Sequence, residues 1–202
     1  MCLGFHTEPG IVSGRRNAVS TFVASKFTLD QVSINVALSQ GSTAFTAHVY
    51  FENKLIGSAR CRGCGDGTVF DGYAVKHVRG KVIQIDVDVA AQAAADDYVK
   101  AHPHPGKFSQ GGIEDYIDDA LTVAEVKSKL SRQLKKKCVY LTAGGDVRAF
   151  TQPLSADPVD RSRQLASFTE LAIKKDPTAI VLNSLNLQEA AERVVASLPG
   201  VQ

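Results

Sequence analysis

The stretch FTLDQVSINVALSQGSTAFTAHVYFENKLIGSARC (27–61) decides the fold class. Phe27, Leu29, Val32, Ile34, Val36 and Leu38 fall largely at every second position, the period of a strand buried on one face. Gln40-Gly41-Ser42 punctuates the run, and Phe45, Ala47, Val49 and Phe51 then alternate with Ala44, Thr46, His48 and Tyr50. The polar triplet Glu52-Asn53-Lys54 turns the chain back into Leu55–Cys61, a hairpin with a polar tip. After a glycine cluster, Thr68–Tyr73 continues the pattern as a fourth strand. The expected strands are therefore 27–38, 43–51, 55–61 and 68–73 of one antiparallel sheet.

Downstream the period changes. VIQIDVDV (82–89) alternates like a strand, whereas AAQAAADDYVK (90–100) is built of helix formers, which places a helix near 87–100 after an extended start. Ile113, Tyr116, Ile117, Ala120, Leu121 and Ala124, followed by Val123, Val126, Leu130 and Leu134, recur at three and four residues. A helix over 113–137 follows, about 37 Å long at 1.5 Å per residue. Thr122 with Glu125 has the form of a capping box, so a break there is an alternative. CVYLT (138–142) and VRAFT (147–151) flank Ala-Gly-Gly-Asp, the signature of a small hairpin. Asp157-Pro158 opens a helix to about 174 with Asp157 as cap, AIVL (179–182) is a short buried strand, and Asn186 with Glu189 opens a helix near 187–198. Strands followed by helices, a hairpin and more helices describe an α+β fold.

In domain terms, residues 1–25 have the small and polar composition of an N-terminal arm, and 26–202 are expected to form one α+β domain. Within it, AHPHPGKFSQGG (101–112) is a linker between two helical parts.

A chain of 202 residues that is 44% hydrophobic can bury a substantial core without metal or disulfide staples. The 23 basic against 21 acidic residues, net +2, exclude an acidic nucleic-acid mimic and an obligate polycation. No stretch approaches the roughly 20 apolar residues of a membrane span, no secretory pattern opens the sequence, and four cysteines are too few for a disulfide framework. The expected setting is a cytoplasm, with no membrane partner.

Cys61-Arg62-Gly63-Cys64-Gly65-Asp66-Gly67 carries the most chemistry per residue. Cys61 and Cys64 are half of a zinc site, and His102 and His104 would have to complete it, but an H-x-H pair fits zinc-finger spacing poorly. The reading is therefore no metal and no cofactor. As a turn, Gly63, Gly65 and Gly67 permit positive φ and a close approach of backbone amides to an anion, with Arg60 and Arg62 adding charge. A tight bulged loop between two strands accounts for the same glycines. The second basic element runs through Lys127, Lys129, Arg132, Lys135, Lys136 and Lys137 with no acid inside it, which suits phosphate contact. The same helix begins with Glu114, Asp115, Asp118 and Asp119, and acid at the start with base at the end is also what the helix dipole favours. Asp96-Asp97 and Asp118-Asp119 read as solvated surface. Cys2 as an N-terminal nucleophile has no supporting neighbours, no nucleophile–base pattern occurs, and the chain is read as a non-enzyme.

TAFTAHVYFENKLIGSARCRGCGDGTVF (43–70) resembles a hairpin shared by uncharacterised small proteins of phages and other bacterial mobile elements, in which the second strand runs into an Asn-Asp-Gly-x-Gly-Gly loop. The order of IEDYIDDAL (113–121), LSRQLKKKCVYL (130–141) and AIVLN (179–183) is similar as well. Cys61 and Arg62 stand where that pattern has Asn and Asp, Cys64 takes a histidine-like position, and Asp66 replaces a glycine. The resemblance implies a mobile-element accessory protein in a bacterial host cell, binding a host partner protein and inhibiting a defence system. The alternative is a nucleic-acid-binding protein that uses Arg60, Arg62, Gly63, Gly65 and Gly67 together with Lys129, Arg132, Lys135, Lys136 and Lys137.

Overall fold

The computed structural model describes residues 26–104 and 112–198. The expected arm over 1–25 and the centre of the expected linker, 105–111, lie outside them. The described residues fall into two compact units, one up to Ala124 and one from Glu125 onward.

The first unit is the sheet of the opening stretch. Strands β1 (Phe27–Ile34), β2 (Phe45–Phe51), β3 (Lys54–Cys61) and β4 (Val69–Asp71) pair antiparallel in the order β1-β2-β3-β4. Glu52 and Asn53 both take positive φ, 46° and 66°, which closes β2 onto β3 with Phe51 opposite Lys54. Period two then does what the sequence implied: Phe45, Ala47, Val49 and Phe51 are buried, and Phe27 and Ile56 join them. Two helices cover that face. α1 (Val89–Ala101) offers Ala91, Ala95 and Val99, small residues that let its axis approach the strands, and α2 (Ile113–Leu134) offers Ile113, Ile117, Ala120 and Leu121. Each large side chain buried here contributes roughly 1.5–3 kcal/mol of transfer free energy.

Three expectations change in this unit. β1 ends at Ile34 rather than Leu38, because the Asn35 side chain accepts the Ala37 N–H and the Ser39 hydroxyl donates to the Asn35 carbonyl, winding Val36–Leu38 into a 3-10 turn. Val36 is 80% exposed, so the alternation continued there without a core behind it. Second, the expected fourth strand shrinks to three residues, and the chain then forms a separate hairpin, β5 (Ala74–Val78) with β6 (Lys81–Ile85), turned at Arg79-Gly80 with φ of 49° and 77°. Only the extended start of 82–89 had signalled it. Third, Asp118-Asp119 in α2 is not solvated surface. Asp115 is buried, Asp118 accepts the Thr68 hydroxyl, and Asp119 meets His104 Nε2 at 2.7 Å. Asp96 and Asp97 are exposed, as expected.

α2 starts in the first unit and ends in the second. It does not break at Thr122, whose hydroxyl bonds back to the Asp118 carbonyl inside the helix, and it stops at Leu134, three residues short of the expected end. In the second unit β7 (Val139–Leu141) pairs with β8 (Val147–Ala149) as the expected hairpin. β9 (Ile180–Val181) adds antiparallel on the other side of β7. α3 (Pro158–Lys175) starts on Asp157, whose carboxylate accepts the Val159 and Asp160 amides. α4 (Leu187–Ser197) starts on Asn186, which accepts the Glu189 amide. Cys138, Tyr140, Phe150, Leu154, Phe168, Ala172 and Val181 form the core, with Phe150 stacked on Phe168 at 4.7 Å. Among the described residues no helix is long and apolar enough to cross a membrane.

Candidate functional site

The structure gathers the ten candidate residues into two places, five in each unit. The first is the loop between β3 and β4. Gly63, at φ 83°, turns its carbonyl oxygen onto three amides of the preceding turn: Gln40 at 2.8 Å, Gly41 at 2.9 Å and Ser42 at 3.4 Å. The loop is thus tied by its Gly63 carbonyl to the turn at 40–42. A Cβ on Gly63 would lie 2.3 Å from the Leu38 carbonyl oxygen, so only glycine allows this approach. Gly65, at φ 90°, donates its amide to the Ser42 hydroxyl at 3.3 Å. Gly67 faces open space.

The cations divide as well. Arg60 is held through Nε by the Asp71 carboxylate at 3.1 Å, across the β3–β4 pair. Arg62 is exposed and makes no ion pair among the described residues. Both border an open cleft of about 390 Å³ that Cys61, Asp66, Thr68 and Val69 complete. The cysteine thiols are spent locally: Cys61 Sγ donates to the Asp66 carbonyl at 3.3 Å and Cys64 Sγ to the Asp66 carboxylate at 3.2 Å.

The histidines weighed as zinc partners have other occupations. His102 stacks on Tyr98 at 4.4 Å and bonds its carbonyl through Nδ1, while Tyr116 donates its hydroxyl to the His102 carbonyl. His104 sits edge-on to Tyr116 beside Asp119. Among the described residues no three His, Cys, Asp or Glu side chains come together in a way that would hold a metal ion.

The second place is the C-terminal end of α2. Lys129, Arg132, Lys135, Lys136 and Lys137 are all exposed, and none makes an ion pair among the described residues. Lys127 instead donates to the Gln188 side chain at 3.1 Å. A helix end leaves carbonyls that lysines can cap, yet here other groups cap them. Arg161 of α3 donates Nη2 to the Leu134 carbonyl and Nη1 to the Lys135 carbonyl, both at 2.9 Å. Asn183 donates Nδ2 to the Leu134 and Lys137 carbonyls at 3.2 and 3.1 Å and accepts the Val139 amide at 2.7 Å. The Leu154 amide donates to the Lys136 carbonyl at 2.7 Å. The backbone of 134–139 is therefore pinned from three directions, and its lysine ammoniums are released from capping.

Arg161 and Asn183 were not among the residues the sequence singled out. Each is a lone polar residue in an ordinary context, and its role exists only once α3 and β9 pack beside the end of α2. The chain matches no family model, no curated protein and no solved structure.

Proposed function

We propose that this chain acts by binding rather than by turnover, and that the contact best supported is with the phosphate backbone of a nucleic acid through Lys129, Arg132, Lys135, Lys136 and Lys137. The observation that carries it is the release of these cations from both ion pairing and helix capping, on a backbone held by Arg161 and Asn183. A backbone already held in place need not be ordered on binding, and each phosphate these cations neutralise releases a counterion. Titrating a labelled duplex over roughly 50–200 mM salt tests this: affinity should fall steeply, and K135Q/K136Q/K137Q should flatten the log–log slope by about 2–3. A slope that the triple variant leaves unchanged sinks the reading.

A second reading is a host protein as partner, with the chain a phage- or plasmid-type accessory that blocks a bacterial defence system. The resemblance of 43–70 motivates it, and the observation in its favour is the end of β1 and the 3-10 turn after it, where Ile34, Val36 and Leu38 stand 40%, 80% and 55% exposed. A host protein retained by the wild-type chain and lost with V36S/L38S would support it; retention that ignores both substitutions counts against this surface.

A further inference from the structure

The β5–β6 hairpin leaves one strand edge open, and its register says which groups line that edge. Arg79 and Gly80 form a two-residue turn with both φ positive, and Val78 faces Lys81 across it. In such a hairpin the flanking pair exchanges hydrogen bonds and the pairs then alternate. Lys81, Ile83 and Ile85 therefore bond inward to β5, whereas Val82 and Gln84 turn their N–H and C=O groups outward. The opposite edge confirms the register independently: Val75, paired with Gln84, turns its carbonyl away from β6 and meets His48 Nε2 at 3.0 Å. The first-unit sheet thus engages β5, with Ser58 donating to the Tyr73 carbonyl next to it. No further strand pairs with β6 among the described residues. Lys81, Val82, Ile83 and Gln84 are all exposed, Val82 by 62% and Ile83 by 49%.

An open, apolar, untruncated edge is a template for another strand. The charges around it select which one. Lys76, Arg79 and Lys81 are exposed and make no ion pair among the described residues. Lys76 pairs in register with Ile83, so Lys76, Lys81 and Ile83 lie on one face of the ribbon. A second copy of β6 is a poor occupant. Two antiparallel copies related by a two-fold axis place residues of like parity opposite each other. Lys81 would then face Ile83, Ile85 or another Lys81, and never Asp86. We propose that the free edge of β6 takes up an extended acidic segment of a partner protein as a third strand, with a carboxylate opposite Lys81 and an apolar side chain opposite Val82 on the other face. This deepens the partner-protein reading and is independent of the nucleic-acid reading.

The test uses the full chain, isotope-labelled, with two end-capped peptide probes, one alternating Glu with Val and one alternating Lys with Val. The Glu–Val peptide is expected to slow amide hydrogen exchange at Val82 and Gln84 at least about tenfold while leaving the amides of β2 unchanged. Lys81→Glu should reverse the preference in favour of the Lys–Val peptide. Val82→Pro removes one outward donor, leaves the inward ladder to β5, and should abolish protection at Gln84. Protection by both peptides alike, protection absent at Gln84, or protection that grows with protein concentration without peptide would overturn the proposal. Lys81 is an exposed position, so its variant reports even if the proline variant does not fold. Failure here with host-protein retention still sensitive to V36S/L38S would separate this edge from the wider partner-protein reading.

Discussion

Arg161 Nη1 lies 2.9 Å from the carbonyl oxygen of Lys135, while the other arm of the guanidinium reaches the Leu134 carbonyl. A residue one turn into α3 thereby ends α2. Because the guanidinium supplies two donors in a fixed fork, it can satisfy two adjacent carbonyls at once, which an ammonium cannot do from one place.

Arg161→Lys keeps the charge and loses the fork. Unfolding in urea should show a loss of about 1 kcal/mol, with one carbonyl left to water. Amide exchange at Lys135–Lys137 should rise in the same variant, and duplex affinity should fall although no cation has been removed. Unchanged exchange there would mean that Asn183 and Leu154 hold the segment without Arg161.

The glycines of the β3–β4 loop should separate by conformation. Gly63→Ala meets both a positive φ and the Leu38 carbonyl, and should cost about 2–4 kcal/mol. Gly65→Ala has the same sign of φ but open space, and should cost about 1 kcal/mol. Gly67→Ala should stay within about 0.5 kcal/mol. Equal effects at Gly63 and Gly67 in denaturant midpoints would contradict the described loop.

Asp176 ends α3 and accepts three hydrogen bonds, from the Thr178 hydroxyl at 2.6 Å, the Ala143 amide at 2.9 Å and the Thr178 amide at 3.0 Å. The Thr178 hydroxyl first, then the two amides, hold its carboxyl below the ordinary 3.8. A carboxylate whose folded value is depressed stabilises the fold above its unfolded value and loses that contribution as pH falls through the folded one. Asp176→Asn should therefore be less stable than wild type at neutral pH, and the gap should narrow only below about pH 4. A gap independent of pH would rule out the charge as its source.

The thiols should differ in rate. Cys138 is fully buried, and desolvation pushes its thiol above the ordinary 9.0, whereas Cys64 is exposed in the loop. An alkylating reagent should modify the peptide carrying Cys64 in the native protein and reach Cys138 only after denaturation. Labelling of both at one rate would refute the burial.

Local signals carried the reading of the fold where local chemistry decides it. The polar tip at Glu52-Asn53, the Asp157-Pro158 start and the Asn186 cap are each encoded within four residues, and each element stands where those residues put it. The misreadings share one cause. Val36 and Leu38 continue an apolar alternation, but nothing packs over them, and the competing hydrogen bonds of Asn35 and Ser39 win. Likewise Asp118 and Asp119 have the composition of a solvated face, and only Thr68 and His104, drawn from elsewhere in the chain, give them partners.

By itself, then, the sequence determined the α+β class, the four-stranded meander and most helix starts, because periodicity and capping act over neighbouring residues. It also marked the glycine loop and the basic run as the places to look. What only the tertiary structure decided is how those groups are occupied. Gly63 turns its carbonyl onto the amides of the 40–42 turn, Arg161 and Asn183 cap α2 so that its lysines need not, and, among the described residues, β6 is left with one edge unpaired. Hydrogen-bond satisfaction is settled between residues far apart in the chain, and no local pattern records which partner arrives.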